Sequence, residues 1–397
     1  MLAVLGVDSP IGLTVVRELG ERGVPLLVHG KTRRSLGRYS RHARRFVART
    51  EPLAEWLPQL VADHGITAVM AISEHHLLQL TALKGKLGDC RILCPDGEEL
   101  ALVLDKRRTL DIAAGLGIDV PVSWLPSEGE DFARRAAELS YPVAIKWPDP
   151  NAIAATIEAQ GLRLEKVEYA SSAGELLAIL HRYDRMRAWP LVQSWCGGYG
   201  FGQMLHMHDG AATLRFQHRR LREWPPSGGV SSYCEAIPLD RHGSQMARSE
   251  RLLRTIGWEG PAMVEYRHDP ITGKYWLMEV NGRFWGSIPL AYHCGAHFAW
   301  ETYRCRILGE TGTASQRLRR RKARYVIPDL KHCAAVLRDG GHSPSRRLRF
   351  AGEFLAGFLD WRTRYYVWSL RDPQPFFADM LGILRRASRW GRHGTAG

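Results

Sequence analysis

The chain has 397 residues, 45% of them hydrophobic and 24% charged, which is the composition of a globular protein large enough for two or three domains. No apolar run reaches the roughly 18 residues that a membrane-spanning helix requires, and the first residues lack the basic start of a secretion signal. The seven cysteines include no C-x-x-C pair. These features predict a cytoplasmic protein with reduced thiols.

The formal net charge of +14 is unevenly distributed. Eighteen Lys and Arg but only six Asp and Glu follow residue 314, so that the tail carries +12 and the first 314 residues only +2. Because the body of the chain is nearly neutral, the charge does not indicate a nucleic-acid-binding domain, and we expect no nucleic acid among the partners.

The N-terminal residues 1–97 alternate short apolar runs with helical stretches, a rhythm typical of a Rossmann-like parallel sheet with crossover helices. The apolar runs are 2–6, 25–29, 45–47, 67–72 and 91–94. The first turn does not fit G-x-G-x-x-G, and no acidic residue follows the second run, which favours a domain without a nucleotide of its own. The alternative is a NADP site that uses Lys31, Arg33 and Arg34 on the ribose phosphate.

Three further parts follow along the chain. Residues 98–190 mix helices and strands, residues 191–314 are rich in strands, and residues 315–397 form a basic extension that we expect to be helical. The predicted architecture is therefore an α/β domain, then two α+β lobes, then a basic helical C-terminal extension.

Residues 261–283 contain two strand-like runs on either side of a turn. If the runs pair as an antiparallel hairpin that pivots near Thr272, Glu265 and Glu279 stand directly opposite each other. Opposed side chains on a sheet have Cβ atoms about 5 Å apart, so two carboxylates there are destabilising unless something neutralises them. A divalent cation would do so.

Asn281 lies two residues beyond Glu279 and is expected on the same face, where its amide adds a neutral oxygen. Hard oxygen ligands that leave positions open for phosphate suit Mg²⁺. The alternative is a solvated face on which Arg267 and Arg283 screen the carboxylates. The opposite face is predicted to be apolar and to consist of Ala262, Val264, Tyr266, Trp276, Met278 and Val280.

Two lysines precede this hairpin. Lys146 ends the apolar run 143–147, where a charged head must reach a cleft or an anionic partner, and phosphate is the obvious partner. Lys106 stands at the start of a predicted helix. For either lysine alone, a side chain that reaches solvent from a strand or helix end is the alternative.

Two segments with glycines in or directly after them are further candidates for ligand binding. The apolar run 191–196 leads into glycines and could offer its backbone to an adenine edge, or could equally be a core strand before a turn. Residues 219–232 combine glycines and serines with Arg219, Arg220 and Arg222, a composition that predicts a flexible loop for a substrate or phosphate anion. An exposed turn without a ligand is the alternative.

The tail ends in a predicted amphipathic helix. We favour a helix that packs its apolar stripe on the body of the protein. The alternative is peripheral contact with an anionic bilayer or a lipid-like substrate carrier. The stripe is Phe376, Phe377, Met380, Leu381 and Leu384, and the basic residues after it are Arg385, Arg386, Arg389 and Arg392.

Taken in order, these motifs resemble the ATP-grasp superfamily, specifically its carboxylate–amine ligases. Such enzymes usually begin with a Rossmann-like domain, so that the resemblance extends over roughly residues 1–310. The motifs that carry it are 105–106, 141–146, 192–195, 264–266 and 278–287.

The resemblance implies an ADP-forming ligase that activates a carboxylate as an acyl phosphate and couples it to an amine. The implied nucleotide-binding residues are Lys106 and Lys146 for phosphate, Gln193, Ser194 and Trp195 for adenine, and Ser231. The implied ligands of Mg²⁺, or of Mn²⁺ in its place, are Glu265, Glu279 and Asn281. The implied contacts of the acyl group and substrate are Arg283, Arg220 and Arg222.

The chain departs from the family pattern at two places. Residues 149–156 replace the usual glycine-rich flap, and Ser194 stands where an acidic residue is common. The expected substrates are a small acid and an amine of amino-acid or peptide type, and a homodimer is compatible with these features. Two other classes stay open, a NADP-binding oxidoreductase and a non-catalytic protein that binds a nucleotide or a membrane.

Overall fold

A computed structural model describes residues 1–165, 167–226, 228–310, 312, 317–341 and 343–393. Its strands are β1 (Leu2–Leu5), β2 (Leu26–Gly30), β3 (Ala43–Ala48), β4 (Ala68–Ala71), β5 (Arg91–Leu93), β6 (Ser123–Trp124), β7 (Val143–Lys146), β8 (Glu168–Ala170), β9 (Leu191–Ser194), β10 (Tyr199–His208), β11 (Ala211–Trp224), β12 (Val230–Ala236), β13 (Gly260–His268), β14 (Tyr275–Asn281), β15 (Lys322–Arg324) and β16 (Thr363–Tyr365).

The helices are α1 (Pro10–Gly20), α2 (Leu53–His64), α3 (Glu74–Thr81), α4 (Gly97–Leu104), α5 (Lys106–Gly115), α6 (Phe132–Ala137), α7 (Pro150–Ala159), α8 (Ala173–His181), α9 (Gly243–Ile256), α10 (Ile288–Cys294), α11 (Phe298–Tyr303), α12 (Val326–Arg338), α13 (Pro344–Leu359) and α14 (Gln374–His393). None of the helices in this described part of the chain combines the length and the apolar content that a bilayer span requires.

The chain divides into two compact units. The first comprises Met1–Gly97, Gly202–Met263 and the described residues from Gly282 onward, and the second comprises Glu98–Phe201 and Val264–Asn281. The four-part division predicted from the sequence stays a prediction, and its boundary at residue 314 lies outside the described residues.

A five-stranded parallel sheet in the order β3-β2-β1-β4-β5 opens the first unit. All residues of β1, β2 and β4 are buried, as expected for a parallel sheet covered on both faces. The predicted Rossmann-like sheet is thus confirmed. Asp8, in the turn after β1, accepts hydrogen bonds from the backbone N–H of Lys31 (2.9 Å) and from the hydroxyl of Ser35, which fastens the chain after β2 over this turn.

The second sheet of the first unit contains β10, β11, β12, β15 and β16 in that order. β15 pairs antiparallel with β12 and parallel with β16, so the C-terminal extension is not wholly helical as predicted. The extension is also tied to the parallel-sheet domain through the buried Asp372, which accepts bonds from Arg17 (3.0 Å) and Ser40 (2.8 Å). Strand pairing and this buried ion pair make the tail an integral part of the unit.

One buried aspartate connects helix α12 with two arginines of the second sheet. Asp329 is fully buried, binds Arg222 through two hydrogen bonds (2.7 and 2.8 Å), and lies 3.3 Å from Nε of Arg324. Both guanidinium groups stack 4.6 Å from the ring of Tyr233. Because these charges are removed from water, each depends on its partner.

The second unit is built on the antiparallel sheet β6-β9-β7-β8 and the hairpin β13-β14. In the sheet, Ala144 of β7 lies opposite Gln193 of β9, and Lys146 lies opposite Leu191. Helices α6, α7 and α8 contribute apolar side chains to its core, among them Ala136, Ile157, Leu176 and Leu180. This sheet fixes the positions of Lys146 and of the segment that follows β9.

We expect Asp329→Asn to lower the free energy of unfolding by about 3 kcal/mol or more, since it leaves two buried guanidinium groups without a counter-charge. Urea denaturation followed by tryptophan fluorescence measures the change. Glu353→Gln is the matched control, because Glu353 forms an exposed pair with Arg349 (3.0 Å) and such pairs contribute little. Equal stability of the two variants would contradict a structural role for Asp329.

A second prediction concerns Glu18 of α1. Its carboxylate accepts a hydrogen bond from the backbone N–H of Trp300 (2.7 Å). Burial raises the pKa of this carboxyl group to about 8. The unfolded chain releases this proton near pH 4.5 and the folded protein only near pH 8, so stability falls as pH rises between these values. Glu18→Gln removes the ionisation, and we expect its stability advantage over the wild type to grow from pH 5 to pH 8 when both are unfolded in urea. A constant difference would show that Glu18 does not titrate in this window.

Candidate functional site

Helix α5 positions the first of the two lysines. Asp105 caps the helix by accepting bonds from the backbone N–H groups of Arg107 (3.0 Å) and Arg108 (3.2 Å), as N-cap residues do. Lys106 is the first residue of the helix, and its ammonium lies 3.7 Å from the carboxylate of Glu279. The predicted phosphate lysine and the predicted metal ligand are therefore neighbours.

Lys146 brings the second ammonium to the same hairpin. It ends strand β7, is half-buried, and donates a hydrogen bond to the backbone carbonyl of Met278 (3.3 Å). Burial lowers the pKa of Lys146 to about 8, against the opposing effect of Glu279, while Lys106 adds to the lowering and Glu265 opposes it. The ammonium of Lys146 thus interacts electrostatically with Lys106 and with both predicted acidic ligands, which all belong to the second unit.

The predicted metal ligands supply oxygen donors. Asn281 is buried, and its amide nitrogen donates to Oε1 of Glu279 (3.1 Å), which leaves the amide oxygen as an acceptor. Glu265 is half-buried on the neighbouring strand β13. Two carboxylates and an amide oxygen are the donor set that Mg²⁺ prefers, so the residues present fit the ion.

The register at the turn of the hairpin differs from the prediction by one residue. The backbone N–H of Asp269 donates to the carbonyl of Lys274 (3.0 Å), whereas a pivot near Thr272 pairs Asp269 with Tyr275. The ring of Tyr275 stacks on His268 at 4.1 Å, and the place of Trp276 on the apolar face stays a prediction. These bonds concern the turn alone, and the direct opposition of Glu265 and Glu279 farther along the strands stays a prediction. The turn residues 270–273 explain the shift, since the bond from Gly273 N–H to Asp269 O closes a tighter loop (2.8 Å).

The segment predicted to hold adenine begins on β9. Gln193 is buried, and its side-chain nitrogen donates to the hydroxyl of Ser123 on β6 (2.8 Å). The hydroxyl of Ser194 accepts a bond from the backbone N–H of Val122 (3.1 Å). Both side chains therefore fasten β6 to β9.

Trp195 is the most exposed residue of the segment. Its indole is 44% exposed and meets the ring of Tyr169 edge-on at 5.4 Å. The guanidinium of Arg267 lies 5.9 Å from the indole ring and donates to the carbonyl of Gly198. From the sequence, Arg267 was expected only to screen the carboxylates of the hairpin. Its position two residues from Glu265 was the available signal, since alternate residues of a strand share a face.

Arg283 belongs to the first unit. Its guanidinium forms an ion pair with Glu74 at the start of α3 (2.9 Å) and donates to the carbonyl of Phe284 (3.0 Å). It also lines a narrow cavity together with Trp258, Thr302 and other residues of that unit. The role predicted for Arg283 stays a prediction.

The predicted loop 219–232 is mostly a β-hairpin in the first unit. Strands β11 and β12 pair up to Trp224 and Val230, which confines the connection to residues 225–229. Arg220 donates to the carbonyl of Gly229 (3.1 Å) and closes this connection, whereas Arg222 is bound to Asp329.

Ser231 is buried, and its carbonyl accepts a bond from the phenol of Tyr366 (3.5 Å). The substrate contacts stay predictions for Arg220, Arg222 and Ser231. A substrate would have to compete with Asp329 for Arg222, and Ser231 lies in a buried position beside Tyr366.

Two other groups of side chains could hold a metal ion. His206, Glu301 and Cys305 are buried in the first unit with ligand atoms within 4.8 Å of one another, but Arg304 already binds the carboxylate of Glu301 through two hydrogen bonds (2.7 and 3.0 Å). The second group is His208, Asp209 and Glu259. Neither combines carboxylates with lysines as the hairpin site does.

Comparison with protein-family models found no match, and neither did a search of curated protein sequences. The fold resembles the L-amino acid ligase of Bacillus licheniformis, with 16% identity, a TM-score of 0.60, and coverage of 81% of this chain and 78% of that one. It also resembles the N5-carboxyaminoimidazole synthetase of Staphylococcus aureus complexed with ADP, with 13% identity, a TM-score of 0.61, and coverage of 80% and 79%.

A third similar structure is the biotin carboxylase domain of the 2-oxoglutarate carboxylase of Hydrogenobacter thermophilus in complex with MgADP, ADP and bicarbonate. Identity is 16%, the TM-score is 0.63, and coverage is 81% of this chain and 72% of that domain. At these identities the likeness concerns the fold, and it extends over both units described above. The chain has the ATP-grasp fold.

Proposed function

We propose that this chain is an ADP-forming ligase that uses ATP and Mg²⁺ to activate a carboxylate and couple it to an amine. The observation that carries the proposal is the cluster of Lys106, Lys146, Glu279 and Asn281 within a chain of ATP-grasp fold. The similar structures include an L-amino acid ligase and enzymes solved with ADP or MgADP, which agrees with this chemistry.

The charged groups of the cluster can exchange their partners when a ligand binds. Without a ligand, the Lys106 ammonium neutralises the Glu279 carboxylate at 3.7 Å. When a metal–nucleotide complex binds, the carboxylates can turn to the cation and the ammonium groups to the phosphates, so each buried charge keeps a partner. Either half of the ligand alone would leave one side of the cluster uncompensated.

The chemistry needs this neutralisation because it brings two anions together. A carboxylate oxygen of the substrate attacks the γ-phosphorus of ATP, the bond to the ADP oxygen breaks, and an acyl phosphate results. An amine nitrogen then attacks the carbonyl carbon, loses a proton, and expels phosphate. Mg²⁺ supplies charge neutralisation and alignment of the phosphates, while Lys106 and Lys146 hold the phosphate oxygens. No protein nucleophile is required.

The remaining assignments are part of the same proposal. Trp195 stacks against adenine beside the backbone of its segment, with Arg267 near its ring. Arg283 and Arg220 contact the acyl phosphate or a carboxylate of the substrate, which suits an amino acid or peptide as the acid. Mn²⁺ can replace Mg²⁺ at oxygen ligands. A cytoplasmic protein, a homodimer and peripheral membrane contact through α14 complete the proposal.

A NADP-dependent oxidoreductase is the competing function. It would use Lys31, Arg33 and Arg34, which are exposed. Tight binding of NADPH without an effect of ATP would favour that function over the ligase.

We expect Glu279→Gln to reduce amine-dependent ADP release by at least about a hundredfold, because a charged metal ligand becomes neutral. ADP release with ATP, Mg²⁺ and a panel of amino acids measures the effect. Glu158→Gln on α7 is the control, since Glu158 is an exposed carboxylate of the same unit, and full activity is expected there. Full activity of Glu279→Gln would remove the metal assignment.

Removal of the metal gives a second test. In the wild type, we expect chelation of Mg²⁺ to weaken ADP binding by about tenfold or more, because Glu279 then competes with the phosphates for Lys106. In Glu279→Gln, ADP alone should bind at least as tightly as in the wild type, but Mg²⁺ should no longer strengthen it. Calorimetric titrations measure all four affinities, with Lys274→Ala as a control at the exposed turn. A wild-type Mg²⁺ effect in the variant would contradict the charge exchange.

A further inference from the structure

Helix α13 carries an apolar stripe that no described part of the chain covers. Leu348, Leu355 and Leu359 are 75%, 64% and 86% exposed. At 3.6 residues per turn these three positions fall within an arc of about 40°, so they form one continuous line along the helix. Trp361, directly after the helix, is 75% exposed and extends the line.

The opposite side of α13 is the one that holds the helix in place. Phe354 is buried, lies about 120° around the helix from the leucine stripe, and packs under the guanidinium of Arg324 at 5.1 Å. The carbonyl of Phe354 accepts bonds from the same guanidinium (3.3 Å). The helix is therefore fixed to the body without its leucines, and the stripe is free to meet a partner.

The charge around the stripe restricts the partner. Residues 317–392 carry all of the +12 that follows residue 314, and several acidic side chains there are bound within the fold, such as Asp329, Asp360 and Asp372. Arg346 and Arg349 are exposed on α13 about 160° and 100° around the helix from Leu348, and Arg349 pairs with Glu353 (3.0 Å). A partner must therefore offer an apolar interior beneath a negatively charged surface.

We propose that α13 is a membrane-docking helix that inserts Leu348, Leu355, Leu359 and Trp361 into an anionic lipid bilayer. An apolar stripe on a basic segment, with a tryptophan at one end and the guanidinium of Arg321 5.7 Å from its ring, suits the headgroup region of such a bilayer. A second copy of the chain fits less well, since a symmetric contact would bring two strongly basic C-terminal segments together. Nucleic acid offers no apolar surface for the leucines.

This surface goes beyond the contact proposed for α14 and complements it. On α14, Phe377, Leu381 and Leu384 are exposed at positions i, i+4 and i+7, while Phe376 packs against the core of the first unit. The favoured prediction that the stripe packs on the body thus holds for Phe376 alone among these four residues. The side chains of Arg386, Arg389 and Arg392 lie outside the described residues. One amphipathic anchor gives weak, reversible binding, and a second makes attachment stable.

The test is flotation of the full chain, without ATP, on vesicles of phosphatidylcholine with or without phosphatidylglycerol. We expect the wild type to float with the anionic vesicles and to dissociate at high salt. Leu348→Gln, Leu355→Gln and Leu359→Gln combined should lower the bound fraction by about tenfold. Arg346→Gln with Arg349→Gln should lower the salt concentration at which the chain leaves anionic vesicles, since two of the tail's positive charges are removed.

Val122→Gln with Ile271→Gln is the matched control, because these exposed apolar residues belong to the second unit, and it should float like the wild type. Flotation that survives the triple substitution but is lost in Leu381→Gln with Leu384→Gln would assign the contact to α14 alone and overturn the proposal. A wild type that does not float would also overturn it, as would a dimer in sedimentation that the triple variant converts to monomer. These readouts do not depend on ligase activity.

Discussion

The neutralisation of charge in the second unit is the constraint on which the functional interpretation depends. Two lysines and two glutamates occupy a half-buried site where an unpaired charge is costly. Burial lowers the pKa of Lys146 most, Lys106 adds to the lowering, and the carboxylates of Glu279 and Glu265 act against it. The cluster therefore contains charges of both signs, which is the complement that the proposed metal–nucleotide complex requires.

Secondary structure explains why these side chains meet although they come from distant parts of the chain. Lys106 begins a helix, Lys146 ends a strand, and Glu279 lies on a hairpin more than 130 residues later. Each stands at or near the end of an element whose backbone hydrogen bonds are satisfied by its neighbours. The ammonium and carboxylate groups can then reach the site while the backbone N–H and C=O groups keep their hydrogen-bond partners.

The parallel sheet could be predicted because it depends on local patterns, and local motifs also indicated the lysines and Glu279, which the structure brings together. Buried parallel strands appear as apolar runs, and the lysines and glutamates stand in recognisable motifs. Hairpin register was harder, since it depends on the geometry of the turn 269–273 and shifts by one residue without changing the motif. The segment 219–232 was misread as a loop because the partners of its arginines, such as Glu235 and Asp329, are distant in sequence.

The basic tail shows how the same composition can serve two purposes. Arg324 is wholly buried and contributes to the core through Asp329 and the ring of Phe358 at 4.1 Å, a role that a count of charges cannot reveal. Arg346 and Arg349, on the helix that this arginine supports, are exposed, and a row of exposed leucines runs along another side of the same helix. Because the buried arginine fixes α13 through the carbonyl of Phe354, the exposed stripe does not have to hold the fold together. Its leucines are therefore more economically explained by a partner than by folding, since an exposed apolar row of this kind has no stabilising role in the isolated chain.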